Sequence, residues 1–328
     1  MRSITIQAPA KVNLFLKVLG KRKDSYHSIL TVFERISLAD TIKISKTSEG
    51  IIVKSDKPIT HDPKDNLVYK AAEAILKYGK VKSGVKIEIK KRIPVASGLG
   101  GGSSDAASTI IGINRLLNLK LDDEVLLIIG KRLGADVPFF LLDTPFAIGK
   151  GRGDILEAVK SKAKFWHLII KAGNKDATKD VYEAFDEASK RLTLRQGSGS
   201  SAMVRPAHYF SNHPERSRGK PLPKYLTPRR ESVRIQIPSK LRMNYAQAEC
   251  MLHNDLETAV SLKKGVIGRI LKSLAQLLGK RAIVSGSGPS LFCLYKSRRE
   301  AIGAKDTVLR RMSAPSRAGW QIFVARTQ

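Results

Sequence analysis

One stretch narrows the possible folds of this chain more than any other: Pro94-Val95-Ala96-Ser97-Gly98-Leu99-Gly100-Gly101-Gly102-Ser103-Ser104-Asp105-Ala106-Ala107-Ser108. Upstream, Val85, Ile87 and Ile89 alternate with Lys86, Glu88 and Lys90, the period of a half-buried strand. Downstream, Ala106, Ala107, Ile110, Ile113 and Leu117 recur at helical spacing. Glycines let backbone N–H groups point at a ligand with no side chain in the way. Ser103, Ser104 and Asp105 are expected at the helix cap, where free N–H groups and the helix dipole attract anions. Strand, glycine loop and helix together outline a phosphate cradle. No Gly-Lys-Ser or Gly-Lys-Thr closes it, so it is not the Walker loop. Ser103 stands where a dinucleotide fingerprint needs its third glycine. A plain flexible turn is the competing reading. The small residues after the glycines, which allow the first helical turn to approach a ligand closely, favour the phosphate loop.

A chain of 328 residues is long enough for two domains and a sizeable core. It holds no apolar run of membrane-spanning length, and strand-like sequence from Ile4 leaves no room for a signal peptide. Cys250 and Cys293 form neither a disulfide framework nor a metal-ligand spacing, which fits a reducing cytoplasm. The formal charge of +30 admits nucleic acid, an anionic substrate or simply a basic proteome. Part of it sits within residues 191–248, where twelve Lys or Arg face two acidic residues.

Residues 4–18 read as a strand broken at Pro9. Alternation sets Lys11, Asn13, Phe15 and Lys17 on one face and Val12, Leu14 and Leu16 on the other. Taken alone, the polar face reads as solvated. Ile29–Ile44 has strand patterning with a turn near Ala39-Asp40, residues 45–65 look irregular, and Asp65-Asn66 reads as the cap of the next helix. Further on, Leu133-Gly134-Ala135-Asp136-Val137-Pro138-Phe139-Phe140 holds one carboxylate in an apolar run. Burying it unpaired is expensive, so Asp136 needs a cation or several donors. The competing reading is a capping aspartate ahead of Pro138. Between 191 and about 245, hydrophobic periodicity gives way to Ser, Arg, Pro and Gly, the composition of a disordered insertion. Strands and helices then resume, with a second glycine turn at Ser285-Gly286-Ser287-Gly288-Pro289-Ser290.

Four separated segments together resemble the GHMP kinases, the group of galactokinase, homoserine kinase and mevalonate kinase. They are Ala8-Pro9-Ala10-Lys11-Val12-Asn13-Leu14, the glycine-serine loop, Gly134-Ala135-Asp136-Val137-Pro138-Phe139-Phe140, and 285–290. Asp24-Ser25-Tyr26-His27, Asp65-Asn66-Leu67 and Asn254-Asp255-Leu256-Glu257 narrow the likeness to the branch that serves the non-mevalonate isoprenoid pathway. The resemblance implies an α+β fold of two domains. A ribosomal-S5-like domain is expected over 1–162 and a ferredoxin-like one over 163–328, the latter interrupted by the insertion at 191–245.

The implied reaction is ATP-dependent phosphorylation of the 2-hydroxyl of 4-diphosphocytidyl-2-C-methyl-D-erythritol, with Mg²⁺ carried by the nucleotide and no metal site in the protein. By position, Lys11 and Asp136 match the catalytic pair. Asn66, Pro94, Ala96, Ser97, Gly98, Leu99, Gly100, Gly101, Gly102, Ser103, Ser104 and Asp105 match the ATP site. Asn13, Tyr26, His27 and Tyr182 match substrate contacts, with Tyr26 and Tyr182 sandwiching cytosine, and Gly286, Ser287 and Gly288 match an active-site loop. Ser25 stands where the family has glycine, so a positive φ there would strain the turn. The implied enzyme is cytoplasmic, a monomer or homodimer, touching nucleic acid only non-specifically through the insertion. The alternatives are a nucleic-acid-binding protein on an S5-like fold, and a GHMP kinase for another small alcohol.

Overall fold

The computed structural model describes residues 2–174, 176–197, 243–312, 317 and 319–328. Two long strands, β1 (Ser3–Lys21) and β2 (His27–Thr47), form an antiparallel hairpin at its centre. After them come β3 (Ile51–Ser55), α1 (Leu67–Tyr78), β4 (Gly84–Lys90), α2 (Gly101–Leu116), α3 (Asp123–Leu133), the short α4 (Val137–Leu141), β5 (Phe146–Lys150) and β6 (Ile155–Ala158). These strands pair in the order β3-β4-β2-β1, and β5 joins β2 and β6. A second sheet, β11-β7-β10-β9, is built from β7 (Trp166–Lys171), β9 (Ile283–Val284), β10 (Ser290–Tyr295) and β11 (Gln321–Arg326). Its helices are α5 (Thr178–Gly197), α6 (Tyr245–Met251), α7 (Leu256–Lys263), α8 (Gly265–Leu278) and α9 (Arg298–Arg311), with the two-residue β8 (His253–Asn254) between α6 and α7. Strand, helices, two strands, helix, strand is the ferredoxin-like order, and the whole is the expected α+β architecture.

Side-chain alternation on the two sheets explains the layering. One face of the first sheet packs Ile42, Ile44, Ile87 and Ile89 against Ala71 and Ile75 of α1 and Ala106, Ile110 and Ile113 of α2. From its other face, Val12, Leu14, Leu30 and Val32 meet Phe165, Ile169, Phe292 and Leu294 of the second unit. Residues next to these on the second sheet, Leu168, Ile170 and Cys293, turn the other way onto α7, α8 and α9. The chain crosses between the sheets at residues 159–165 and comes back to the first sheet where β8 pairs in parallel with Phe15 and Leu16 of β1 and where Thr327 bridges to Ile36 of β2.

Several local expectations change. Pro9 does not end β1; the ladder slips between Pro9 and Ala10, and Ala39-Asp40, expected as a turn, lies inside β2 opposite Ala8-Pro9. Proline has no N–H to donate, and a bulge tolerates it without ending the strand. A second slip, between Asn13 and Phe15, breaks strict alternation, and Phe15 joins Val12 and Leu14 in the core instead of sharing a face with Lys11 and Asn13. Residues 51–55, expected to be irregular, form an edge strand parallel to β4. Regular structure reaches into both ends of the expected 191–245 insertion: α5 runs to Gly197, and Met243 is buried in the core. The rest of that expectation, 198–242, lies outside the described residues.

A buried polar contact joins the two sheets. Glu34 on β2 meets His167 Nε2 of β7 at 3.0 Å and accepts from Thr327 Oγ1 at 2.6 Å. Thr327 in turn accepts from the Phe165 N–H at 2.7 Å. All three side chains are shut off from water. Removing one member strands the others, which costs about 1–3 kcal/mol per buried group. Glu34→Ala, which strands both His167 and Thr327, should therefore lower unfolding stability by about 3 kcal/mol in a denaturant titration. A loss within the scatter of surface substitutions would mean that this contact does not hold the sheets together.

Candidate active site

Lys11 and Asn13 lie on β1 at the interface of the two units, and neither is solvated: they are 4% and 1% exposed. The Lys11 ammonium donates to Asn13 Oδ1 at 2.6 Å, lies 3.6 Å from Asp136 Oδ2 and sits 5.2 Å above the centre of the Phe33 ring. Asp136 occupies the N-cap position of α4, yet its side chain makes no capping bond. The capping alternative is thereby set aside. Its side chain is 36% exposed, so one carboxylate edge faces solvent while the other faces Lys11.

The glycine loop passes directly over this pair. Gly100 takes φ +73° as the N-cap of α2, and a Cβ there would fall 3.0 Å from Lys11 Cγ and 2.9 Å from Phe140 Cζ. Only glycine satisfies both the left-handed backbone and that approach. The Lys11 N–H also donates to Leu99 O at 2.9 Å, tying β1 to the loop. The first bond of α2 runs from Ser104 N–H to Gly100 O, which leaves the amides of Gly101, Gly102 and Ser103 ahead of it for an anion. Nothing lies within 4 Å of where a Gly102 side chain would be. Ala96, Gly98 and Gly100–Ser103 are open to solvent in part, whereas Pro94, Ser97, Leu99, Ser104 and Asp105 are buried. Asn66 caps α1, its side-chain oxygen accepting from Val68 N–H at 2.9 Å.

Here the expected cap is corrected. The helix starts at Gly101, so Ser103, Ser104 and Asp105 lie inside its first turns. Asp105 is not available to a ligand either: it faces inward, 2.7 Å from Lys91 Nζ. Lys91 also contacts Asp40 at 2.5 Å, and the other Asp40 oxygen accepts from the Arg92 and Ile93 N–H groups. The cluster is sealed, and it ties the exit of β4 to α2. Burial pushes the Asp105 carboxyl up to about 7 against the pull of Lys91, and the charge of Asp40 adds to the rise.

From the second unit, the turn 285–290 closes over the loop. Ser290 N–H donates to Ser97 O at 3.1 Å, and a Cβ on Gly98 would fall 2.6 Å from Gly288 O. Gly286 lies close to Asn13 Oδ1 and Lys11 Nζ, at 3.4 and 3.6 Å from where its Cβ would be. Ser287 Oγ meets Thr178 of α5 at 3.3 Å. Asn254 holds the turn by donating to Val284 O and Gly286 O, each at 2.8 Å, while Asp255 accepts from Val18 N–H of β1. In sequence these two residues carry the family likeness without a stated role. Their task is structural: one clamps the turn and the other clamps β1.

Tyr26 and His27 follow the turn at 22–25, where Ser25 does take φ +66°. Tyr182 stacks on His27, with ring centres 4.7 Å apart, and Tyr26 is 58% exposed with the Arg152 guanidinium 5.2 Å above its ring. The His27 ring is fixed by Asp186 Oδ1 at 2.8 Å, a residue the sequence reading missed. The available signal was its spacing of four from Tyr182, which puts both on one face of α5. Burial alone would push the Asp186 carboxyl up, but hydrogen bonds from His27 and Lys21 outweigh it and hold it low. The Tyr182 phenol is pushed up by burial, with the charge of Asp136 adding to it.

Two family models match the chain: the GHMP kinases N terminal domain over residues 66–144 and the GHMP kinases C terminal over 242–314. A protein of Geobacter metallireducens named 4-diphosphocytidyl-2-C-methyl-D-erythritol kinase is 35% identical, with 94% of this chain and 95% of that one aligned. A protein of the same name from Acetivibrio thermocellus is 33% identical end to end, over 100% of both chains. Among solved structures, a 4-(cytidine 5'-diphospho)-2C-methyl-D-erythritol kinase matches with a TM-score of 0.67 at 27% identity, covering 98% of each chain. A homoserine kinase from Cytophaga hutchinsonii shares the fold, with a TM-score of 0.64 at 19% identity over 100% of this chain and 95% of that one.

The sealed cluster beneath the loop has a pH signature. The Asp105 carboxyl is raised from 3.8 to about 7 in the folded protein, so the folded chain holds that proton where the unfolded chain has lost it. Its contribution to stability is therefore full below about pH 4 and is lost as pH rises through about 7. Asp105→Asn should flatten the stability–pH curve across that window. An unchanged slope in chemical denaturation at a series of pH values would contradict the assignment.

Proposed function

This chain belongs to the GHMP kinase family, and we propose that it transfers the γ-phosphoryl group of ATP to the 2-hydroxyl of 4-diphosphocytidyl-2-C-methyl-D-erythritol. Its relatives at 33–35% identity carry the name of that kinase over the full length of the chain. The observation that carries the chemistry is the convergence of Lys11, Asp136 and the open amino end of α2 at one point. Phosphoryl transfer needs little covalent help from a protein and much positioning and charge stabilisation.

In this reading the amides of Gly101, Gly102 and Ser103 hold the ATP phosphates. The fit rests on glycines whose missing side chains leave the cradle open. Asp136 orients the acceptor hydroxyl and takes its proton. Lys11, already desolvated, draws charge off the developing alkoxide. Asn13 holds Lys11 and lines the acceptor site together with Gly286. Among the described residues no three His, Cys, Asp or Glu side chains gather as a metal site. In this reading Mg²⁺ would be carried by the nucleotide and would supply neutralisation of phosphate charge. His27, Tyr182 and the exposed Tyr26 ring supply flat surfaces for the cytidine end, with Tyr182→Ala expected to weaken the cytidyl substrate and spare ATP. No helix among the described residues is long and apolar enough to cross a membrane, and we assign the reaction to the cytoplasm.

Purified protein given ATP and a panel of alcohols should turn over the cytidyl diphosphate alcohol, with mevalonate and homoserine inert. Preference for either of those would overturn the substrate assignment. Asp136→Asn should lower turnover by about 10²-fold or more while ATP affinity changes little. Lys11→Ala should also lower it, and the double variant should be no worse than the worse single one, since groups acting as a unit are not additive. Losses that simply multiply would mean that the two residues act separately.

A further inference from the structure

The Asn13 side chain is an amide, and either of its ends fits the same space. The chemistry of Lys11 depends on which end faces it: the oxygen accepts from an ammonium, whereas the nitrogen would repel it. Thr31 of β2 decides the matter. Its hydroxyl is fully buried and donates its single proton to the Phe15 carbonyl at 2.7 Å. Only lone pairs remain for Asn13, so the partner at 2.8 Å must be the Asn13 NH₂ group. The opposite end, Oδ1, is then left pointing at Lys11 Nζ.

The fold supplies each part of this chain of bonds. The register slip between Asn13 and Phe15 places Phe15 opposite Val32 and Leu16 opposite Thr31, and it is next to this slip that the Phe15 carbonyl takes the threonine proton. The Thr31 rotamer is fixed from the other side by Gly149 of β5, its pairing partner. A Cβ on Gly149 would lie 2.9 Å from Thr31 Cγ2 and 2.8 Å from the Phe33 ring that underlies Lys11. Donation thus runs in one direction, from Lys11 to Asn13, from Asn13 to Thr31 and from Thr31 to the Phe15 carbonyl, and the same Lys11 ammonium faces the Asp136 carboxylate.

We infer that Thr31 is a positioning residue for phosphoryl transfer: by spending its proton on Phe15 O it fixes the Asn13 amide with oxygen toward Lys11, and so sets the direction of the lysine ammonium. It touches neither substrate nor nucleotide in this role and acts only through Asn13. The inference rests on the proposed kinase reaction, and turnover by the unaltered enzyme checks that reading separately.

The test compares Thr31→Ser with Thr31→Ala, which differ only in the hydroxyl; Thr31→Val adds an isosteric control. Thr31→Ser should keep kcat within about twofold of the parent, while Thr31→Ala should lose about 10- to 100-fold, the range for small misplacements of a reacting group. KM for ATP should be unchanged in both, since the loop is untouched. In an Asn13→Ala background, Thr31→Ala should add no further loss. Equal kcat for the serine and alanine variants, or the same loss with and without Asn13, would overturn the proposal and leave Thr31 as packing. A readout independent of turnover is the Asn13 side-chain amide, observed by NMR. Its two protons should stay distinct and slow to exchange in the parent and in Thr31→Ser, and should broaden or exchange in Thr31→Ala. Identical amide signals in all three would also overturn it.

Discussion

Lys11 carries a charge that is almost out of water, and a desolvated ammonium costs several kcal/mol unless its surroundings compensate. The compensation comes from three places, two of them far from Lys11 in sequence. Asn13 supplies an oxygen from the same strand, Asp136 a carboxylate from the start of α4, and Phe33 a ring face from the paired strand. The Gly100 backbone presses close enough to exclude a side chain there. Hairpin, loop and short helix are therefore coupled. Moving any one of them exposes or unpairs the ammonium.

The second unit is held to this arrangement by polar contacts placed on both sides of it. On one side, Asn254 and Asp255 join the 285–290 turn and β1, and that turn bonds directly to the glycine loop. On the other, Glu34, His167 and Thr327 tie the two sheets deep in the interior. Between these ties lies a continuous apolar core shared by both sheets. The stacking of His27 on Tyr182, braced by Asp186, adds a third link at the far end of the hairpin. At the glycine-loop end of the cleft a backbone bond, Ser290 N–H to Ser97 O, crosses between the two units. The other end is made of side chains: Tyr26 stands in solvent under Arg152.

The sequence by itself determined the glycine loop ahead of α2, most of the elements and the family. Local patterns do that work. Glycines in a row between a period of two and a period of 3.6 admit few structures, and the Asn66 cap of α1 is a bond between residues two apart. Tertiary structure alone decided what lies between those patterns. Pro9 reads locally as a break, yet a bulge absorbs it; Asp40 reads as a turn residue, yet it is the buried partner of Lys91. Asp105 reads as a cap facing the ligand, but the helix begins four residues earlier and turns it inward. Lys11 and Asn13 read as a wet face on their own segment, and only the arrival of α4 and the second unit removes the water. Alternation along one strand cannot report a register slip, because the slip is set by the partner strand. A carboxylate's worth depends on which cation the fold brings within a few ångströms, and that distance is a property of the folded chain as a whole.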